Sequence, residues 1–95
     1  MDEQVTEKAA MHRFELPIEG GDGAIAAAYY REEDGVLVLT HTEVPSEFGG
    51  RGIGSRLARG VFDMLRATGR KAVLRCPFMS AFYARHPEYS DVVAG

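Results

Sequence analysis

The sequence predicts one domain of the α/β class in its α+β form, with a mixed, mainly antiparallel sheet and two helices in the order β-β-β-α-β-α. Three observations predict this fold. Apolar and polar residues alternate before residue 45, apolar residues recur at helical spacing after residue 52, and glycine-rich turns separate the segments. A chain of 95 residues is long enough to build a single sheet and two helices around a modest core.

Three strands are predicted in the first half of the chain. The first alternates polar residues with Phe14, Leu16 and Ile18, which indicates an edge strand with one buried face. Residues 24–31 form the second strand, because a tyrosine pair and flanking turns outweigh the helical preference of the alanines. Residues 36–40 form the third strand, and their apolar character on both faces is typical of a central position.

The second half of the chain predicts a helix, a strand and another helix. Residues 52–67 have the apolar stripe of an amphipathic helix. Residues 71–76 form a strand parallel to the third strand, because the helix between them is a crossover connection. The second helix spans residues 77–85 and begins at Pro77, and residues 89–93 are expected to add a last extended piece.

The chain is divided into an arm and a domain. Residues 1–10 show no apolar period and are predicted to be a loose N-terminal arm. Residues 11–95 form the single domain, which contains no repeat, linker or low-complexity run.

The composition is that of an ordinary globular protein, with 45% hydrophobic and 26% charged residues. No apolar stretch approaches the roughly 20 residues of a membrane span, so no membrane partner is expected. The acidic, polar N-terminus is unlike a signal peptide, and a single cysteine excludes an internal disulfide. These features favour the cytoplasm.

The charge is distributed unevenly along the chain. Residues 1–47 hold eleven acidic and three basic side chains, whereas residues 48–95 hold three acidic and eight basic ones. Seven of these bases fall within residues 51–75, where their positive field would attract a polyanionic ligand. Nucleic acid is not expected, because the whole chain has a pI near 5.5 and lacks interleaved aromatic and basic residues.

Four glycines within residues 49–54 form the most informative motif. A strand precedes them and a helix follows, so free backbone N–H groups and a positive helix end face the same point. This arrangement predicts an anion site for a phosphorylated cofactor. The Lys-Ser/Thr pair of a Walker loop is missing, and Ser55 replaces the third glycine of a dinucleotide fingerprint. A glycine-rich turn without a ligand is the alternative.

The glycine loop and two further segments resemble the GNAT N-acetyltransferases, and in particular their very short YjdJ-type branch. The segments are His41-Thr42-Glu43-Val44-Pro45, the loop at residues 48–57, and Cys76-Pro77-Phe78 followed by Tyr83 and His86-Pro87-Glu88-Tyr89. The resemblance covers residues 11–93 and implies a minimal GNAT-like fold without the usual N-terminal strand and helices. It departs from the family motif at Gly49, where glutamine or arginine is usual.

The resemblance implies that acetyl-coenzyme A is bound and that its acetyl group passes to an amine of an unidentified small molecule or protein. The residues expected to hold the cofactor are Thr42, Val44, Gly49, Gly50, Arg51, Gly52, Ile53, Gly54, Ser55 and Arg56. The pantetheine arm is expected where the third and fourth strands separate, near Thr42 and Cys76.

Four residues are candidates for catalysis. Cys76 lies at a strand end before a helix, where helix N–H groups and basic neighbours favour the thiolate, and a buried structural cysteine is the alternative. The resemblance implies that Tyr83 protonates the departing thiolate; otherwise its ring packs under the sheet. His41 is predicted on the same face as Leu39 and Glu43, as a general base that Glu43 orients or replaces. The alternative for His41 is a strand cap.

The sequence is compatible with three functions. The first is a small acetyltransferase, the second a non-catalytic module that binds coenzyme A or acyl-coenzyme A, and the third a basic-faced interaction domain without a cofactor. Three scattered histidines and one cysteine do not form a metal motif, so no metal is expected. A monomer is favoured over a dimer.

Overall fold

In the described part of the chain, five strands form one mixed sheet in the order in which they occur in the sequence. They are β1 (Thr6–Lys8), β2 (Arg13–Pro17), β3 (Ile25–Glu33), β4 (Val36–Glu43) and β5 (Ala72–Leu74). The computed structural model describes residues 5–94. Strands β1 to β4 pair with one another in antiparallel fashion, and β5 pairs with β4 in parallel. The predicted fold class, with its mainly antiparallel sheet, is confirmed.

Residues 5–94 also form two α-helices, α1 (Ile53–Thr68) and α2 (Pro77–Arg85), and 3-10 turns at residues 9–11, 46–48 and 87–92. Helix α1 connects β4 to β5 as the predicted crossover. It ends at Gly69, whose positive φ of 71° suits a residue without a side chain.

The core lies on one face of the sheet. The sheet contributes Phe14, Leu16, Ala26, Ala28, Tyr30, Leu37 and Leu39, and the helices contribute Leu57, Val61, Phe62, Leu65, Met79 and Phe82. The rings of Phe62 in α1 and Phe82 in α2 lie 5.6 Å apart, so both helices share this core. The opposite face of the sheet is covered by neither helix.

Strand β1 corrects the prediction of a loose arm over residues 1–10. Residues 6–8 pair with β2, so β2 is not the edge strand, and residues 1–4 lie outside the described part of the chain. The Glu7 carboxylate accepts hydrogen bonds from Tyr30 and from both terminal nitrogens of Arg70, at 2.9 and 3.1 Å. An ion pair, rather than an apolar period, therefore fixes this strand, which is why the sequence pattern did not predict it.

The ion pair at Glu7 predicts a loss of stability in acid. The hydrogen bonds from Arg70 lower the pKa of Glu7, while burial and the Glu7 carboxylate raise the pKa of Tyr30 to about 12. Because the folded-state pKa of Glu7 lies below its unfolded value, its contribution is complete above the unfolded value. It is lost as pH falls through the folded pKa.

We expect Glu7→Gln to lower the thermal midpoint at pH 7 by roughly 4–8 °C, the shift that about 1 kcal/mol produces in a domain of this size. The midpoint of the variant should also depend less on pH between about 5 and 3, the range in which carboxylates titrate. Glu19→Gln is the control, because Glu19 lies exposed in a turn. Equal acid sensitivity in Glu7→Gln and the parent, followed by circular dichroism, would contradict this assignment.

The segment after α2 differs from its prediction. Residues 87–92 form a 3-10 turn instead of an extended piece, and the segment makes its β-bridge to the sheet just after this turn, from Val93 to Ala72. The reason is side-chain packing: the ring of Tyr89 lies 5.3 Å from that of Phe62. Its hydroxyl donates a hydrogen bond of 2.8 Å to Asp63.

Candidate active site

The glycine loop lies between a 3-10 turn at residues 46–48 and the start of α1. Gly50 and Gly52 have φ values of 82° and 73°, a region that side chains disfavour, and Gly52 directly precedes the first helical residue. No side chain caps this helix end within the described residues. The first intrahelical bond runs from Arg56 N to Gly52 O at 3.1 Å, so the amides of residues 53–55 have no acceptor inside the helix.

A cavity of about 260 Å³ opens at this helix end. It is lined by Val44, Phe48, Gly49, Gly50, Gly52, Ile53, Gly54, Ser55 and Phe78. Seven of these residues belong to the predicted cofactor site. Phe48 and Phe78 were not predicted, although an aromatic residue beside a glycine loop and an apolar residue right after a helix-starting proline were visible in the sequence.

Positive charge borders the cavity. The exposed guanidinium of Arg51 lies 5.4 Å from the centre of the Phe48 ring, a cation–π contact that holds it beside the loop. Arg56 is exposed in the first turn of α1. Free amides, a positive helix end and two arginines form a site with the chemistry of a phosphate cradle. The residues present therefore fit the diphosphate of coenzyme A.

A β-bulge in β4 corrects the predicted position of His41. Tyr29 pairs with His41 and Tyr30 pairs with Leu39, so Thr40 is an extra residue on β4. The bulge reverses the alternation of side chains beyond it. His41 and Glu43 consequently lie on the opposite face of the sheet from Leu39, which is the face that neither helix covers and is called the open face below. The uninterrupted pattern predicts them on the same face as Leu39.

The same bulge directs Thr42 toward the helices. The parallel pairing of β4 with β5 ends at Leu39 and Leu74, with a further bond from Arg75 N to Leu39 O at 3.0 Å. Strand β4 continues to Glu43, so the two strands separate beyond this point. The Thr42 hydroxyl and the Cys76 thiol meet in the gap, with Oγ1 and Sγ 3.3 Å apart.

Cys76 occupies the position just before α2, and only 3% of its surface is exposed. Tyr83 follows seven residues later. Because seven residues make two helical turns, Tyr83 lies on the same side of α2 about 10 Å further along the axis. Tyr83 is half-buried and its side chain packs against the core. Packing of the ring is the alternative that the sequence offered to a catalytic role.

His41 and Glu43 belong to a polar cluster on the open face of the sheet. His41 stacks on Tyr29 with ring centres 5.9 Å apart, and the Tyr29 hydroxyl donates a hydrogen bond of 3.4 Å to Glu43. Arg13 reaches the same hydroxyl from β2 at 3.5 Å. The nearest ring nitrogen of His41 lies 3.9 Å from the Glu43 carboxylate, and both side chains are more than 60% exposed.

The candidate residues thus fall into two groups. The cavity and the Thr42–Cys76 pair lie on the helix side of β4, whereas His41 and Glu43 lie on the open face. Among residues 5–94, no three His, Cys, Asp or Glu side chains are grouped closely enough to hold a metal ion. Neither α1 nor α2 has the combination of length and apolar composition that would cross a bilayer, within that same range.

Comparison with known proteins assigns this fold and loop to a family. The sequence profile of the GCN5-related N-acetyl-transferases matches residues 13–92, which is most of the chain. The chain belongs to this family. Its sheet and its crossover helix are therefore those of a GNAT domain, and the predicted GNAT superfamily is confirmed.

Relatives within the family include two proteins named NATD1. The chain is 27% identical to the one from Gallus gallus over 88% of its own length and 76% of that protein's. It is 29% identical to the one from Danio rerio over 83% of its length and 74% of that protein's. A GCN5-like protein from Staphylococcus aureus, solved by NMR, superposes with a TM-score of 0.70 at 25% identity, over 97% of this chain and 88% of that one.

Proposed function

We propose that this protein is an N-acetyltransferase that uses acetyl-coenzyme A and transfers the acetyl group to an amine. The observation that carries the proposal is the cavity at the uncapped start of α1, which adjoins the point where β4 and β5 separate. The YjdJ-type branch, a cytoplasmic location and a monomeric state are parts of the same proposal and rest on the sequence alone.

The cofactor would be held mainly by backbone. The amides of Gly50 to Ser55 donate to its diphosphate, and Arg51 and Arg56 supply positive charge beside it. Acetyl-coenzyme A, once bound, would supply the acetyl group as a thioester. The gap between β4 and β5 beyond Leu39 offers unpaired strand backbone that holds the extended pantetheine arm.

Residues on the helix side of β4 would act at the thioester. Cys76 and Thr42, in contact in the gap, orient the acetyl group or accept it transiently on the Cys76 sulfur. Tyr83 donates its phenolic proton to the sulfur as the carbon–sulfur bond breaks, which gives a neutral thiol as the leaving group.

Residues on the open face would serve the acceptor. The amine nitrogen reaches the acetyl carbon through the gap beside β4, forms the new bond there and gives up one proton, which passes through water to His41 or Glu43. Tyr29 stacks on His41 and hydrogen-bonds Glu43, so it holds both in position. The exposure of this face leaves room for a small amine or for an amine on a protein surface.

A second candidate is a coenzyme A-binding module without turnover. The burial of Cys76 favours it, because a thiol with 3% exposure is closed to reagents in this conformation. Both candidates require the glycine loop to bind coenzyme A. They differ in whether acetyl-coenzyme A is consumed when amines are added.

A thermal-shift comparison tests the shared requirement. Coenzyme A or acetyl-coenzyme A at one hundred times its Kd should stabilise the fold by about 2.7 kcal/mol. In a domain of this size that corresponds to roughly 10 °C or more. NAD and ATP are controls, since they carry phosphates without a pantetheine arm. No shift with either form of coenzyme A would overturn the proposal, and release of free thiol with an amine panel would decide between the two candidates.

A further inference from the structure

Phe78 is an aromatic residue that the fold leaves exposed. It and Met11 are the two large hydrophobic side chains that stand out to solvent among residues 5–94, with 37% and 55% exposure. Phe78 is the second residue of α2 and lies two positions after Cys76. Its ring also lines the cavity at the glycine loop. The residue therefore links the two halves of the helix-side site.

The Phe78 ring lies against Gly54, in the space that a side chain at this position would occupy. A Cβ atom at Gly54 would lie 2.7 Å from Cζ of Phe78 and 3.2 and 3.3 Å from the two neighbouring ring carbons. Gly54 has no positive φ, so conformational freedom does not explain a glycine at this helical position. The close approach of the Phe78 ring explains it, because a side chain at residue 54 would clash with the ring. The Phe78 ring thus packs directly on the backbone of the first turn of α1.

We propose that Phe78 is a positioning residue for the pantetheine arm of coenzyme A, a role that rests on the proposed function. The arm connects a diphosphate at the glycine loop to a thioester near Cys76, and Phe78 lies beside both ends of this route. Its ring supplies an apolar wall there, in a cavity that Val44 also lines. Burial of the apolar part of the arm against this wall would stabilise the bound state.

The alternative is a structural clip that only joins the starts of α1 and α2. A clip contributes to stability and treats all ligands of the loop alike. A wall for the pantetheine arm instead changes affinity only for ligands that carry the arm. Adenosine 3′-phosphate 5′-diphosphate, which keeps the diphosphate but lacks the arm, therefore distinguishes the two roles.

The first test compares Phe78→Ala with the parent by calorimetric titration of coenzyme A and of adenosine 3′-phosphate 5′-diphosphate. We expect coenzyme A to bind about tenfold more weakly to the variant, and the arm-free nucleotide to bind with unchanged affinity. Phe78→Leu, which keeps an apolar side chain, should recover most of the loss. Met11→Ala is the control for removal of an exposed hydrophobic residue, and it should bind both ligands like the parent.

The second test pushes the ring away without removing it. Gly54→Ala should displace the Phe78 ring, because a flexible ring end moves more easily than the helix backbone. Alanine is the better helix former, so the thermal midpoint should stay equal to the parent's or rise. Affinity for coenzyme A should fall all the same.

Each outcome bears on one proposal. A parent that binds no coenzyme A overturns the proposed function, and this inference with it. A parent that binds coenzyme A, with Phe78→Ala binding it equally well, overturns only the role of Phe78. Equal losses for coenzyme A and the arm-free nucleotide would make Phe78 a clip, and unchanged affinity in Gly54→Ala would show that the fit to Gly54 has no part in binding.

Discussion

Gly52→Val is expected to weaken coenzyme A binding at least 100-fold while the domain still folds. Gly52 has a φ of 73° immediately before α1, and a β-branched residue in that region is strained by about 1–2 kcal/mol. Among residues 5–94, nothing beyond its immediate neighbours in the chain lies within 4 Å of the position of its Cβ. The valine side chain therefore causes no clash, and the domain should still fold. The side chain projects into the space that the ligand needs, however, and turns the nearby amides away from the phosphates.

Gly69→Val is the matched control for this experiment. Gly69 has a φ of 71° at the other end of the same helix, and its Cβ position is equally open. Both variants should lose similar stability in urea unfolding, because the strain is the same. Only Gly52→Val should lose affinity in calorimetry. If it binds coenzyme A as tightly as Gly69→Val does, the loop is not the cofactor site.

The elements that were predicted correctly depend on local patterns. The stripe of apolar residues at helical spacing places α1, and Pro77 marks the first residue of α2. The glycine cluster marks the loop for the same reason, since backbone freedom is a property of single residues. The cavity lies where this reasoning places the anion site.

The parts that were missed depend on contacts between distant residues. Strand β1 is held by Glu7 through Arg70, a residue 63 positions away, so no local period signals it. The turn at residues 87–92 is likewise fixed by Tyr89 packing on Phe62. Neither partner can be identified from the neighbouring sequence.

The bulge at Thr40 has the largest consequence for the site. One extra residue in β4 exchanges the faces of every side chain beyond it, and the sequence of a bulged strand looks like that of a regular one. His41 and Glu43 thus lie on the open face, while Thr42 reaches Cys76. Acceptor chemistry and thioester chemistry are consequently proposed on opposite sides of one strand.

Cys76→Ala is expected to lower the rate of acetyl transfer at least about 100-fold, with affinity for coenzyme A within about threefold of the parent's. The thiol lies in the gap between β4 and β5, in contact with Thr42, and not in the glycine loop that would hold the phosphates. A change there should therefore affect turnover more than binding. The measurement is thiol release from acetyl-coenzyme A with a panel of amines, with binding followed by calorimetry.

Two further variants separate the thiol from its surroundings. Cys76→Ser keeps a polar group beside Thr42 but removes the sulfur, whereas Thr42→Val keeps the sulfur and removes its partner. If sulfur chemistry is required, Cys76→Ser should be as slow as Cys76→Ala. If orientation alone matters, Cys76→Ser should recover most of the rate. Thermal midpoints near the parent's would show that a loss of rate in either variant is not a loss of fold.

Intact-protein mass spectrometry distinguishes the covalent route from direct transfer. Cys76 is the only cysteine in the chain, so a single acetyl adduct that forms with acetyl-coenzyme A and is absent from Cys76→Ser must be on this sulfur. The thiol is buried, so the adduct requires the gap to open when the cofactor binds. Absence of the adduct would leave direct attack by the amine. Unchanged turnover in Cys76→Ala would remove the cysteine from the mechanism, leaving Tyr83 to protonate the thiolate and His41 or Glu43 to deprotonate the amine.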